Sequence, residues 1–476
     1  MTEDKKDVTC SIAEKIDFTP YRNLNWVIAL SGGADSRMLL ELASLNRHLS
    51  SGIMAVYVHH HLQKVADDWA VFCQKECAGL GVEFHVEHVT VEKTGSIEAN
   101  ARAARYSALA KYISADNCVL FTAHHADDLL ETMIMALNRG CGLPGMSAIP
   151  SSQPFASGML ARPMLAVSRS EVEEFCHGRG LDYVTDPTNS SIKYDRNYLR
   201  HEVVPVLKKR FPQILTGARR VSENLCDDLM LLDDLLNEKV SAYVEKSLYS
   251  GITLNLGSLA DITGDLSEKY QSAFIRFFLR HYHNLSVSRK QLAEIMKFRT
   301  SNDAKARLMI DNMTVGLYRG YLVVSPDTSE LSEAGEIIVE SGKSVCLGHF
   351  RISLQPETDE VQTAASGNMA FHSVGSVLKE QFYMHVAEKE LRLCFNPKSS
   401  LRLKPESRNH SQILKQLWKE YGVPLGVRCL HPVVFDSMNN PLAVFGVFKT
   451  ADESAHENNK EYRKVTLTVE FMDKEM

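Results

Sequence analysis

Residues 25–36 read NWVIALSGGADS, and residues 37–45 continue RMLLELASL. Trp26 to Leu30 form an apolar run of strand length, closed at once by the turn residues Ser31, Gly32 and Gly33. Beyond them apolar residues recur at 38, 39, 40, 42, 43 and 45, a helical spacing. Strand, glycine turn and helix in succession open a parallel α/β unit. Glycine lets the backbone approach a bulky anion closely, and the helix start offers free N–H groups and the positive end of a dipole. Ser31 and Ser36 add hydroxyl donors. Asp35 fits beside phosphates only if a cation lies between, which implies Mg²⁺. The turn, Ser31-Gly32-Gly33-Ala34-Asp35-Ser36, matches neither GxxxxGK(S/T) nor GxGxxG, so it is a phosphate turn of another kind.

Outward from this turn the alternation continues. Residues 52–58, 82–89 and 117–123 read as further strands, and residues 67–78 and 97–113 as helices. The first 200 residues therefore predict an α/β fold with a doubly wound parallel sheet, whose ligands bind at the carboxyl ends of the strands. After residue 200 the pattern changes. Residues 221–243, 266–282 and 288–298 have helical spacing, and segments such as 315–325 alternate like strands. Residues 355–375 read as a linker, and 411–421 as a helix in a mixed tail. The expected organisation is a catalytic domain over 1–215, a mainly helical middle domain over 216–345 and a small α+β domain over 376–476.

The 476 residues suit about three domains. Hydrophobic residues at 44% and charged residues at 24% exclude a mainly disordered chain or a collagen-like repeat. Ten cysteines without a CxxC pair read as reduced thiols, as in a cytoplasmic protein. No apolar run is long enough for a membrane span, and the N-terminal residues do not resemble a signal peptide. A net charge of −6 does not advertise nucleic acid, so any such surface must be a local basic patch.

SGGADS resembles the pyrophosphatase loop (PP-loop) of the N-type ATP pyrophosphatases, whose fold is the adenine nucleotide alpha hydrolase type. IEANARAARY (97–106), TAHHADDLLET (122–132), NRGCGLPGMSAI (138–149), ARPML (161–165) and YDRNYLR (194–200) resemble, in that order, blocks of the tRNA(Ile)-lysidine synthetases. Residues 408–428 and 442–448 resemble the C-terminal domain of the same family. The resemblance implies an ATP-dependent ligase. ATP activates ring oxygen 2 of the wobble cytidine in CAU-anticodon tRNA(Ile), and L-lysine then displaces AMP at carbon 2. The product, lysidine, switches the tRNA from methionine to isoleucine identity. A homodimer is compatible with this reading. The enzyme alternative is a tRNA 2-thiolation enzyme with the same loop, but such enzymes typically need a CxxC pair.

The resemblance also implies roles. Ser31, Gly32, Gly33, Ala34, Asp35 and Ser36 would hold ATP, with Asp35 also holding Mg²⁺. Arg105 and Arg196 match arginines used around the substrate and phosphates, whereas Arg102 reads as structural. His124, Asp128 and Glu131, at i, i+4 and i+7 of an expected helix, would share one face. Asp128 and Glu131 would bind the ammonium groups of lysine, and one of them, or His124, would accept a proton. A metal site from His124, His125 and the aspartates is a rival reading, as is a plain acidic helix start. At His59-His60-His61 the family commonly has glycine in the third position, so the local turn should differ here. His59 or His60 could lie near adenine or serve as a core histidine. A metal triad of these three is disfavoured, because neighbours on a strand face opposite ways.

Two basic islands are candidate tRNA contacts. Residues 196–220 carry seven Lys and Arg against Glu202, and residues 391–419 carry seven against Glu406, each net +6. Arg408 is the tail residue expected to touch tRNA. The family's glycine-arginine-lysine run before the tail helix is replaced by SRNHSQ (407–412), so the grip should be differently placed. Trp418 is expected to pack among Ile413, Leu414 and Leu417.

Overall fold

The computed structural model describes residues 11–12, 15–63, 65–91, 97–249, 251–260, 267–298, 306–356, 377–385, 389–451 and 462–471. The expected linker at 355–375 lies almost wholly outside them. The chain divides into two compact units, residues 1–232 and 233–473.

The first unit is built on a six-stranded sheet: β1 (Asn25–Ala29), β2 (Gly52–His59), β3 (Glu83–His88), β4 (Cys118–Phe121), β5 (Ser152–Phe155) and β6 (Gly158–Ala161). The order is β3-β2-β1-β4-β6-β5, parallel throughout except for β5, which runs antiparallel to β6. Five helices accompany it: α1 (Ala34–Leu45), α2 (Ala66–Leu80), α3 (Ile97–Ala110), α4 (Ala126–Asn138) and α5 (Arg169–Arg179).

Side chains alternate across the strands, so both faces must be covered. Trp26, Ile28, Val119 and Phe121 pack on one face with Leu39, Cys73 and Phe175 of α1, α2 and α5. Val27, Val56, Leu120 and Leu160 pack on the other with Leu109 of α3. Consecutive strands run outward from β1 to β3, and then β4 returns to the other side of β1. The gap between the carboxyl ends of β1 and β4 is thus the topological switch point, where ligands bind in open α/β sheets.

The second unit holds antiparallel sheets. Strands 244–247, 251–255, 307–310, 313–318 and 321–326 form one, closed over a core with helices Ser267–His283 and Arg289–Lys297. Its hairpin at Arg319-Gly320 has φ of +50° and +87°, the left-handed pair that a two-residue turn requires. Strands 336–340 and 350–356 pair with tail strands 390–394 and 462–471 respectively, which draws them into the tail core. The tail helix is Leu414–Glu420, and Trp418 is buried in that core, packed as its neighbours imply. No helix among the described residues is long and apolar enough to cross a membrane.

Candidate active site

The glycine turn sits at the switch point. Gly32 has φ +83°, a region that side chains resist, and a Cβ there would lie 2.9 Å from Val184 and 3.1 Å from Cys73. Its carbonyl accepts from the Val184 N–H at 2.9 Å. Gly33 is the N-cap of α1, and no side chain caps that end. The Ser36 hydroxyl donates to the Gly33 carbonyl at 3.1 Å and lies 3.1 Å from the Ser31 hydroxyl. Ser31, Ala34 and Asp35 remain accessible, so the turn presents amides, the Ser31 hydroxyl and a carboxylate to solvent.

β4 leads into the second half of the site. His124 lies outside the helix, because α4 begins at Ala126 and His125 is its N-cap, with extended backbone. This corrects the expected face of His124, Asp128 and Glu131: only the two acids are helical. A capping box fixes the boundary. His125 Nδ1 accepts from the Asp128 N–H, and the Asp128 carboxylate accepts from the His125 N–H at 3.1 Å. His125 Nε2 is buried without a hydrogen-bond partner and lies 3.7 Å from Asp35 and 3.5 Å from Asp128. His125 Nε2 thus sits between the loop aspartate and the helix aspartate, a placement that the spacing of the sequence did not reveal.

Asp128 and Glu131 are both buried. Two guanidinium groups meet them, carried by consecutive helical turns at Asp195–Tyr198 and Leu199–Val203, the second a π turn. The Arg200 guanidinium donates to Glu131 at 2.9 Å and to Asp128 at 2.8 Å. Arg196 donates to Glu131 at 3.0 Å and more distantly to Asp128 at 3.4 Å. Arg200 counted only as basic charge in the sequence. Its spacing of four from Arg196 was the available signal that both face one way. Burial alone would lower the Arg200 pKa, but Glu131 and Asp128 raise it. Burial likewise pushes the Asp128 carboxyl up, yet His125, Arg196, His124 and Arg200 outweigh it and hold Asp128 below its ordinary value. Asp35 goes the other way, raised chiefly by partial desolvation within the cleft.

His124 sits at the mouth of β4, its Nδ1 2.9 Å from the Thr122 hydroxyl. Burial, with Arg162, Arg102 and Arg196 behind it, pushes the ring down to about 3 against the pull of Asp128. Arg162 of the ARPML block is itself buried and donates to the Pro150 carbonyl at 2.7 Å. Arg105 is exposed on α3, while Arg102 lies over the Tyr106 ring at 5.0 Å in a structural contact. Burial, with the charge of Arg105, takes the His60 pKa down to about 4. Asp127 turns away from the site, accepting from the Arg169 N–H and from Lys208, each at 2.8 Å.

The basic islands divide. In the first, Arg196, Arg200 and Lys208 bond inward, leaving Lys209, Arg210 and Arg220 exposed. In the second, Lys398, Arg402, Lys404, Lys415 and Lys419 are exposed, and Arg408 pairs with Glu420 at 2.7 Å.

Comparison with known proteins agrees with this architecture. Residues 7–207 match the model of the PP-loop domain family, and residues 391–466 that of the TilS substrate C-terminal domain. The tRNA(Ile)-lysidine synthase of Vibrio atlanticus is 33% identical over 437 residues, covering 89% of this chain and 92% of its own. The enzyme of the same name from Vibrio cholerae El Tor is 31% identical over 460 residues, covering 95% and 96%. Among solved structures, the U34-tRNA thiolase NcsA of Methanococcus maripaludis covers 47% of this chain and 78% of its own, at 19% identity and a TM-score of 0.41, too distant to carry weight.

Proposed function

The chain belongs to the tRNA(Ile)-lysidine synthase family, and on that premise we propose that it joins L-lysine to the wobble cytidine of CAU-anticodon tRNA(Ile) at the expense of ATP. The observation that carries the reading is the meeting of the open phosphate turn with Asp35, His125 and the Asp128–Glu131–Arg196–Arg200 cluster at one switch point.

In the first step ring oxygen 2 of the cytidine attacks the α-phosphorus. A new P–O bond forms, the bond to the bridging oxygen breaks, and pyrophosphate leaves. The amides of residues 31–36 and the hydroxyls of Ser31 and Ser36 receive the phosphate charge. Asp35, whose carboxylate is accessible at the turn, would offer the oxygen donors that suit Mg²⁺. When bound, the cation neutralises charge on the departing pyrophosphate. Arg105 and Arg196 complete that field. Arg196 is the freer of the paired guanidiniums, because its bond to Asp128 is long at 3.4 Å, whereas Arg200 is held on both acids.

In the second step the side-chain ammonium of lysine gives a proton to water, the free amine attacks carbon 2, and AMP leaves with its bonding electrons, its phosphate taking up the proton shed as the C–N bond forms. As an ammonium ion arrives, it takes the place on Asp128 and Glu131 that Arg196 vacates for phosphate. Asp128 is held below its ordinary value and serves by its negative charge, while His124, pushed to about 3, is neutral and serves by position; neither is a strong base. The exposed cations of the tail bind the tRNA backbone.

The test mixes protein, ATP, labelled lysine and tRNA. Label should enter CAU-anticodon tRNA(Ile), with AMP released only when both lysine and that tRNA are present. AMP release without RNA, or transfer of sulfur instead of lysine, defeats the proposal.

A further inference from the structure

Three histidines stand apart from this chemistry. β2 and β3 are parallel neighbours, and their last residues, His59 and His88, are register partners at the carboxyl edge of the sheet. Two residues past the end of β2, the backbone at His61 takes φ +54°. That left-handed conformation is disfavoured for an L-residue, and it brings the His61 ring back over the other two. The His61 and His59 ring centres are 4.2 Å apart, and those of His61 and His88 are 5.0 Å apart. One ring nitrogen from each of the three lies within 4.8 Å of the others. His61 Nε2 and His88 Nδ1 are 3.0 Å apart, near the ~3.3 Å edge of a tetrahedron with 2.0–2.1 Å bonds to nitrogen.

We infer that His59, His61 and His88 form a binding site for a borderline divalent metal ion of the Zn²⁺ class. Three neutral imidazoles select such ions over Mg²⁺, which prefers oxygen. His59 supplies the buried floor of the site, and His61 and His88 form an accessible rim through which an ion can enter. The floor is also oriented. His59 Nε2 lies 3.1 Å from the Asp67 carboxylate in the first turn of α2, and His59 Nδ1 receives a long 3.2 Å bond from the His61 N–H. Nε2 makes no hydrogen bond as the chain stands, and Nδ1 becomes a ligand only when the His61 N–H releases it; the Asp67 carboxylate is then placed to hold the Nε2 proton, the usual support of a histidine ligand. His60, between the two ligands, is not among the three rings whose nitrogens converge, in keeping with the alternation of side chains along a strand. The triad is therefore His59, His61 and His88, and not the three adjacent histidines that strand alternation disfavours.

An ion here would tie together the ends of β2 and β3. Through Asp67 it would also anchor the start of α2, whose Cys73 packs against Gly32 of the phosphate turn.

The experiment titrates the full chain, stripped with EDTA, with ZnCl₂ by calorimetry, and separately with CoCl₂ by visible absorption. The expected result is one saturable equivalent and, with Co²⁺, the intense visible bands of a four-coordinate site. His61→Gly relaxes the backbone at φ +54° and should fold unaided, yet weaken Zn²⁺ binding at least tenfold and abolish the Co²⁺ bands. His88→Gln should do the same, whereas His48→Gln, on an exposed turn elsewhere, should change neither readout. The inference is overturned if the parent chain shows no saturable equivalent. It is equally overturned if His61→Gly and His88→Gln, folded by circular dichroism, bind Zn²⁺ as the parent does.

Discussion

Residues 196–220 and 391–419 carry the same excess of positive charge, yet only in the first does the fold turn part of it onto buried acids. In the first stretch Arg196 and Arg200 turn onto Asp128 and Glu131, and Lys208 turns onto Asp127. In the second, five of seven cations stay in solvent. The difference lies with the acids. Helix α4 begins at a switch point walled by the sheet, so its three carboxylates are buried and each needs a cation. Glu406, the acid within the tail stretch, is exposed and needs none. Charge in a window of sequence is available to RNA only where no buried acid claims it.

The largest expected effect strikes at the buried acids. Glu131→Gln leaves Arg196 and Arg200 with a single carboxylate between them, and should cost about 3–5 kcal/mol in urea unfolding. The matching change at the exposed acid, Glu406→Gln, should stay within about 0.5 kcal/mol. Equal losses at the two sites would dissolve the contrast. Next comes Asp35→Ala, which should lower turnover on the order of 10²–10³-fold, the scale of removing one preorganised charged group from a reacting centre. The folded structure should survive, because the Asp35 side chain is 43% exposed. Turnover close to that of the parent would remove Asp35 from the phosphate chemistry.

The same contrast separates what the sequence disclosed from what it hid. β1, the glycine turn and α1 were legible because each signal is local: an apolar run, two glycines, a helical period. The β5–β6 hairpin was not, since SQPF and GMLA are too short and too little alternating to stand out. The start of α4 falls two residues later than the spacing predicts, because His125, an uncommon N-cap, does not look like a helix boundary. The role of Arg200 was hidden for another reason: its partner Glu131 is 69 residues away, and only the folded sheet brings them together. Loop chemistry was therefore readable, while the electrostatic balance around it depended on tertiary burial.

The exposed side of the contrast gives a smaller and graded effect. Lys404→Ser with Lys415→Ser removes two solvent cations from the tail. tRNA affinity should fall, and the slope of log affinity against log salt should flatten by about 0.7–0.9 for each phosphate left without its cation. The same pair of changes should leave ATP affinity unaltered. An unchanged salt slope would move the RNA surface away from this island.

Arg408 provides the finest test, because it stands between the two regimes. It belongs to the solvent-facing island but pairs with Glu420 at 2.7 Å, each side chain about one-third exposed. An exposed pair of this kind is worth about 0–1 kcal/mol. Arg408→Ala should therefore weaken tRNA binding by less than removal of the two free lysines. Glu420→Ala should act in the opposite direction. It deletes the charge that holds Arg408 and frees the guanidinium for phosphate, so tRNA affinity should rise and its salt slope should steepen by up to about one neutralised phosphate. If Glu420→Ala leaves both quantities as they were, Arg408 is a structural cation like Arg200. The boundary between captured and available charge then runs through the tail island itself.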